Sequence, residues 1–217
     1  ENILEKIIKK KSEKIVNLKK TITLESLNEL IDTNKTFINF KEKIENNIKE
    51  DKFSIIAEIK KASPSAGVII KDYDPIKIAN IYNDNKASCL SVLTEEDYFL
   101  GNLIHISKIK QKVNLPILCK DFFVDKFQIP LAKSYGADAI LIILAGVIIN
   151  DYDPVKIANT YNDNKASCLS VLTEEDFFLG NMMHISKIKQ KVNLPILCKD
   201  FFVDKFQIPL AKSYGSD

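Results

Sequence analysis

Leu4, Ile7, Ile8, Ile15 and Leu18 stand among Lys and Glu at spacings that line one side of a helix, and the first fifty residues predict two or three such amphipathic helices. Past them the period changes. Short apolar runs at 53–60, 88–94, 116–121, 138–144, 167–173 and 195–200 predict strands, and helical stretches open between them near Asp74, Gly101, Asp125, Asp153, Gly180 and Asp204. Strands that alternate with helices pair in parallel, because parallel neighbours need a crossover and that crossover is right-handed. About six strand-helix pairs are expected. Pro130 and Pro209 interrupt the third helix of each series, so that helix is expected to begin at the proline, where a missing N–H costs nothing.

The pattern repeats because the residues do. Residues 66–138 recur at 145–217 with a constant offset of 79, and seven of the 73 pairs differ: Lys71/Asn150, Ile76/Val155, Ile81/Thr160, Tyr98/Phe177, Leu103/Met182, Ile104/Met183 and Ala137/Ser216. Solenoids use shorter units in three or more copies, so this is a copied piece of a larger fold. Cys89 and Cys119 return as Cys168 and Cys198 in strand-like runs without zinc-site spacing, which reads as small buried hydrophobes. His105 and His184 are one position seen twice, expected on a helix surface.

Chemistry in a closed parallel sheet gathers at the carboxyl ends of its strands. On the first strand, alternation sends Ile55, Ala57 and Ile59 to one face and Ile56, Glu58 and Lys60 to the other. On the third, Leu118, Lys120 and Phe122 share a face. One carboxylate and two ammonium groups thus converge on the interior. A structural ion pair would account for them, and so would an acid–base site that also recognises an anion; buried Lys without a partner or a task is rare.

Composition narrows the setting. With 46% apolar residues the chain can bury a core, and 31 basic against 29 acidic side chains exclude a polycationic nucleic-acid binder. The longest apolar run, Ala139–Ile149, is too short for a bilayer, and no secretion leader opens the sequence. A soluble, cytoplasmic protein with no membrane or nucleic-acid partner is expected. Every basic residue is Lys, so an anion site here must use ammonium point charges in place of guanidinium forks.

At AEIKKASPSAGVI, SVLTEEDYFLG, LPILCKDFFVDKFQI and YGADAILII, in that order, the sequence resembles the indole-3-glycerol-phosphate synthases of tryptophan biosynthesis, over residues 1 to about 144. The resemblance implies an α/β fold: a TIM-type (βα)8-like barrel, incomplete at about six βα units. A helical extension would occupy 1–50 and the partial barrel 51–217. It implies a carboxy-lyase that closes the ring of 1-(2-carboxyphenylamino)-1-deoxyribulose 5-phosphate, with decarboxylation and dehydration, to give indole-3-glycerol phosphate. No metal and no organic cofactor take part, and the partner is this small anionic phosphosugar-anthranilate. By matching motifs, Glu58, Lys60 and Ser63 take the first-strand catalytic and substrate-binding positions. Lys120 takes that of the general acid, and Phe99 and Phe122 fall where aromatic rings line the anthranilate. These types suit the reaction, since an ammonium can donate to the ketone oxygen and a carboxylate can collect the proton released on rearomatisation.

The chain then departs from the family. Past residue 144 it returns to the second and third strands, so the fifth-strand base segment, the sixth-strand Asn-x-Arg motif and the phosphate loops of the last two strands are missing, and the six Gly form no cradle. If the copied second strand enters the fifth slot, Glu174 is expected near the place of the missing base, with Lys199 in the slot after it. Two readings follow: a synthase-type enzyme, or a catalytically inactive duplicated fragment. Open sheet edges in the latter favour self-association. Another phosphosugar barrel is a third reading that the motifs disfavour.

Overall fold

The computed structural model of the chain describes residues 3–33, 37–141, 153–163, 166, 168–175 and 180–217. Two compact units result, one of residues 1–43 and 54–147, the other of 44–53 and 148–217. Among the described residues no helix is long and apolar enough to cross a membrane.

The chain opens with three helices, α1 (Ile3–Leu18), α2 (Leu24–Thr33) and α3 (Phe40–Lys49), as the periodicity predicts. Ile7 and Ile15 of α1 are buried; the side chain of Leu4 lies outside the described residues. Strand β1 (Ile56–Ile59) leads into a two-residue hairpin, β2 (Ala62–Ser63) and β3 (Gly67–Val68). Then come α4 (Pro75–Asp84), β4 (Cys89–Leu93), α5 (Ile104–Lys110), β5 (Ile117–Lys120), α6 (Gln128–Ser134) and β6 (Ala139–Ile140). The four main strands form one parallel sheet in the order β1-β4-β5-β6. The apolar run 138–144 supplies two ladder residues, and 142–144 lie outside the described residues.

Alternation along the strands decides the core. Ile59, Leu90, Val92, Ile117 and Cys119 leave one face of the sheet and pack with Ala79, Ile106, Ile109 and Ala132 of the helices. Each large aliphatic side chain so buried stabilises the fold by about 1.5–3 kcal/mol before entropy is counted. Lys110 and Asp138 meet beneath this layer at 2.5 Å, with side chains 6% and 0% exposed. Asp138 also accepts from the N–H groups of Ile38 and Ile117, both at 2.7 Å, so one carboxylate ties the segment before α3 to the start of β5.

Helix starts follow the caps. Asp74 accepts from Ile76 and Lys77 N–H, with Pro75 as the first helical residue. The two later helices begin about three residues downstream of where the pattern places them. Before α6, Gln128 Oε1 accepts from the N–H groups of Val124 and Asp125, and the Asp125 carboxylate accepts from Phe127 N–H, so side chains hold this stretch as a loop. Pro130 is then the third residue of α6 and not its first. The expectation that the proline opens the helix is corrected, although the reason for tolerating it survives: first-turn N–H groups have no helical partner.

The second unit repeats α7 (Pro154–Asp163), β7 (Leu169–Leu172), α8 (Met182–Lys189), β8 (Ile196–Lys199) and α9 (Gln207–Ser213). Strands β7 and β8 pair in parallel with the register of β4 and β5: Leu169 faces Ile196 as Leu90 faces Ile117. The copied strand pairs with its copied neighbour, whose register is specified by the same local sequence.

Candidate active site

Glu58 lies level with Ser91 on β4, and Ser91 level with Leu118 on β5. Side chains at paired positions share a face, so Lys120, two residues beyond Leu118, points the same way, as does Lys60, two beyond Glu58. Lys60 Nζ lies 2.9 Å from Glu58 Oε1, and Lys120 Nζ donates to Glu58 Oε2. Ser91, a small residue, lies on the strand between them. Burial raises the Glu58 carboxyl, and the ammonium groups of Lys120 and Lys60 outweigh it, leaving the group below its ordinary range. Glu58 is thus an ionised carboxylate bridged by two cations on the inner face, opposite the apolar core.

Phe99 and Phe122 come together, with ring centroids 6.1 Å apart and planes tilted by 42°. The loop that carries Phe99 is fixed by a residue the sequence did not single out. Glu95 is almost fully buried, and its carboxylate accepts from the N–H groups of Asp97, Tyr98 and Phe99 at 3.0, 2.7 and 3.0 Å. Leu100 follows in the left-handed region at φ 53°, a conformation that costs a branched residue about 1–3 kcal/mol. Next, Gly101 packs so closely on the end of β4 that an added Cβ would lie 2.4 Å from the Leu93 carbonyl oxygen. The strain and the clamp both serve to hold an aromatic ring in place. Ser63 sits in the hairpin after β1, where its Oγ accepts from Ala66 N–H at 3.2 Å.

Helix α1 is bound to the strand ends by charge. Lys11 reaches Asp121 at 2.8 Å with both side chains buried, and Asp121 also accepts from Thr94 Oγ1 at 2.7 Å. Lys14 meets Glu96 and Asp97 at 2.8 and 2.6 Å. A cleft of about 450 Å3 opens here, lined by Lys11, Ile15, Thr94, Asp121, Gln128 and Leu131 among others. Glu58, Lys60 and Lys120 do not line it, and its charges are already paired, so the carboxylate–lysine cluster is the better candidate for chemistry.

Other expected positions fare differently. Glu174 is the copy of Glu95, and its carbonyl accepts from Gly180 N–H at 2.7 Å as that of Glu95 accepts from Gly101 N–H at 2.7 Å. It lies in the second unit beyond β7. Lys199, the copy of Lys120, is exposed at the end of β8. His105 is half-buried and not a surface residue: its ring tilts against Tyr73 at 5.7 Å, and burial, with Lys108 and Lys61 nearby, lowers its pKa. Cys119 behaves as expected of a buried small hydrophobe, with burial pushing its thiol up to about 12. Among the described residues no group of three or more His, Cys, Asp or Glu could hold a metal.

A parallel strand-helix sheet with an ionised carboxylate and two lysines toward the carboxyl ends of its strands is consistent with an incomplete α/β barrel of the (βα)8 class. The profile of one family, indole-3-glycerol phosphate synthase, matches residues 4–148 and again 144–217. The chain belongs to this family. An indole-3-glycerol phosphate synthase of Prochlorococcus marinus (strain AS9601) is 43% identical over 77% of this chain and 56% of its own length. That of Trichodesmium erythraeum is 37% identical over 82% of this chain and 60% of its own length. The chain spans about three fifths of the length of these curated relatives. Among solved structures, the N-acetylmannosamine-6-phosphate 2-epimerase of Clostridium perfringens matches with a TM-score of 0.42 at 11% identity, covering 75% of this chain and 83% of that one, too loose a match to carry a reading of function.

Proposed function

We propose that this chain carries the acid–base centre of an indole-3-glycerol phosphate synthase and closes the pyrrole ring of 1-(2-carboxyphenylamino)-1-deoxyribulose 5-phosphate. The observation that carries the reading is the Glu58 carboxylate held between Lys60 and Lys120 on the inner face of a parallel sheet. In this scheme Lys120 donates a proton to the ketone oxygen as the ring carbon bearing the carboxylate attacks the ketone carbon. Loss of CO2 then restores the aromatic ring, and loss of the new hydroxyl as water completes the indole. Lys60 pairs with the anionic substrate, and Glu58 collects the proton released during dehydration. Phe99 and Phe122 flank the aniline ring and exclude water, while Ser63 contributes a hydroxyl to substrate binding.

Family membership and the cluster support this scheme. Incubating the purified chain with the substrate and following indole fluorescence tests it. Turnover that Lys120→Ala abolishes is expected. No turnover at high protein concentration would return the chain to the reading of an inactive duplicated fragment.

A further inference from the structure

Residues 121–136 and 200–215 are identical, and each builds the same surface. In the first, Gln128 Oε1 binds Val124 N–H at 2.7 Å, Asp125 binds Phe127 N–H at 2.8 Å, and Gln128 Nε2 donates to Phe122 O at 3.0 Å. In the second, Gln207 binds Val203 N–H at 2.7 Å, Asp204 binds Phe206 N–H at 2.7 Å, and Gln207 donates to Phe201 O at 3.0 Å. The shapes agree, but the covering does not. Phe127 is 4% exposed because Ile15 of α1 and Leu27 of α2 pack on it with Leu131. Lys19 then pairs with Asp125 at 2.6 Å and lies over the Phe127 ring at 5.7 Å. At the second surface Phe201, Val203 and Phe206 are 62%, 90% and 67% exposed.

We propose that the Phe201–Phe206 face is a docking site for the α1–α2 helical pair of a second copy of this chain. The first surface shows what fits: an amphipathic pair with Ile15 and Leu27 for the aromatic ring and Lys19 for the neighbouring carboxylate. The second surface presents the same ring as Phe206 and the same carboxylate as Asp204, already in the receiving conformation, so docking does not have to order the loop. Each chain has one helical pair and two faces. Moving a pair from Phe127 of its own chain to Phe206 of another uncovers one face as it covers the other, so exchange between chains is close to neutral and rises with concentration. A free helical pair gains the whole contact.

A fluorescently labelled peptide of residues 3–33, titrated with the full chain, tests this. Saturable binding at one peptide per chain is expected by anisotropy, weakened about tenfold or more by Phe206→Asp, the size of effect a central aromatic anchor gives. Phe206 is exposed, so this variant keeps its fold, and Val203→Asp provides a second one with the same expected loss. Lys19→Glu in the peptide weakens binding, and added salt then strengthens it in place of weakening it, because a like-charge pair with Asp204 is screened. An absence of saturable binding overturns the proposal. Binding undiminished by both Phe206→Asp and Val203→Asp overturns it too, since the peptide would then be displacing the resident helices at Phe127 or settling elsewhere.

Discussion

The segment 66–138 and its near-copy 145–217 are the same polypeptide in two settings, and the contrast separates what a local sequence specifies from what its neighbours supply. Strand register and the Gln-held turn before the third helix come out alike in both. Burial does not. The first copy lies against β1 and the N-terminal helices, which close over Phe127 and provide Glu58 for Lys120. Neither β1 nor those helices is duplicated, and Phe206 and Lys199 are more exposed than their twins. Hydrogen bonds within some ten residues are thus a property of the sequence, whereas the core and the candidate site depend on segments far away in the chain.

Mutating twins in parallel sharpens that distinction. The largest difference is expected at the lysines: Lys120→Ala lowers turnover by roughly 10²–10⁴-fold, as loss of a general acid does, while Lys199→Ala leaves kcat unchanged. Equal losses at both would mean that the second copy takes part in catalysis. Next come the buried groups. Asp138→Ala removes a buried ion-pair partner of Lys110 and should cost about 3–5 kcal/mol, read as a lower urea midpoint, whereas Asp217→Ala, whose partner Lys189 is 35% exposed, costs much less. Phe127→Ala should cost about 3–5 kcal/mol and speed amide exchange in α1 and α6; Phe206→Ala should be nearly silent.

The smallest effect is a pH dependence. The Glu58 carboxyl is lower in the folded chain than in the unfolded one, so the stability it contributes is present above the ordinary carboxylate range and is lost as pH falls through the lowered value. Acid titration of wild type against Glu58→Gln should show a shallower loss in the variant. An unchanged slope would remove Glu58 from the account of acid sensitivity.

Much of this was legible beforehand. Period-two alternation put Glu58 and Lys60 on one face of β1, and Lys120 on that of Leu118 in β5; the ladder through β4 joins the two faces. The repeat predicted matching elements in both copies. What escaped notice were contacts made across long sequence distances. Nothing near Lys11 signals Asp121, and nothing near Asp138 signals Ile38, because tertiary packing alone brings them together. Glu95 was within reach: a buried carboxylate whose partners lie two to four residues ahead is a local arrangement, and the following Gly101 marks the tight approach.

Ser91 stands between Glu58 and Leu118 in the ladder, on the face that carries the ion pair, while Leu90 and Val92 on either side of it turn to the core. A Val or Leu at position 91 leaves that core untouched and adds bulk to the strand that carboxylate and amine reach across, so it is expected to loosen the Glu58–Lys120 contact without altering a single charge.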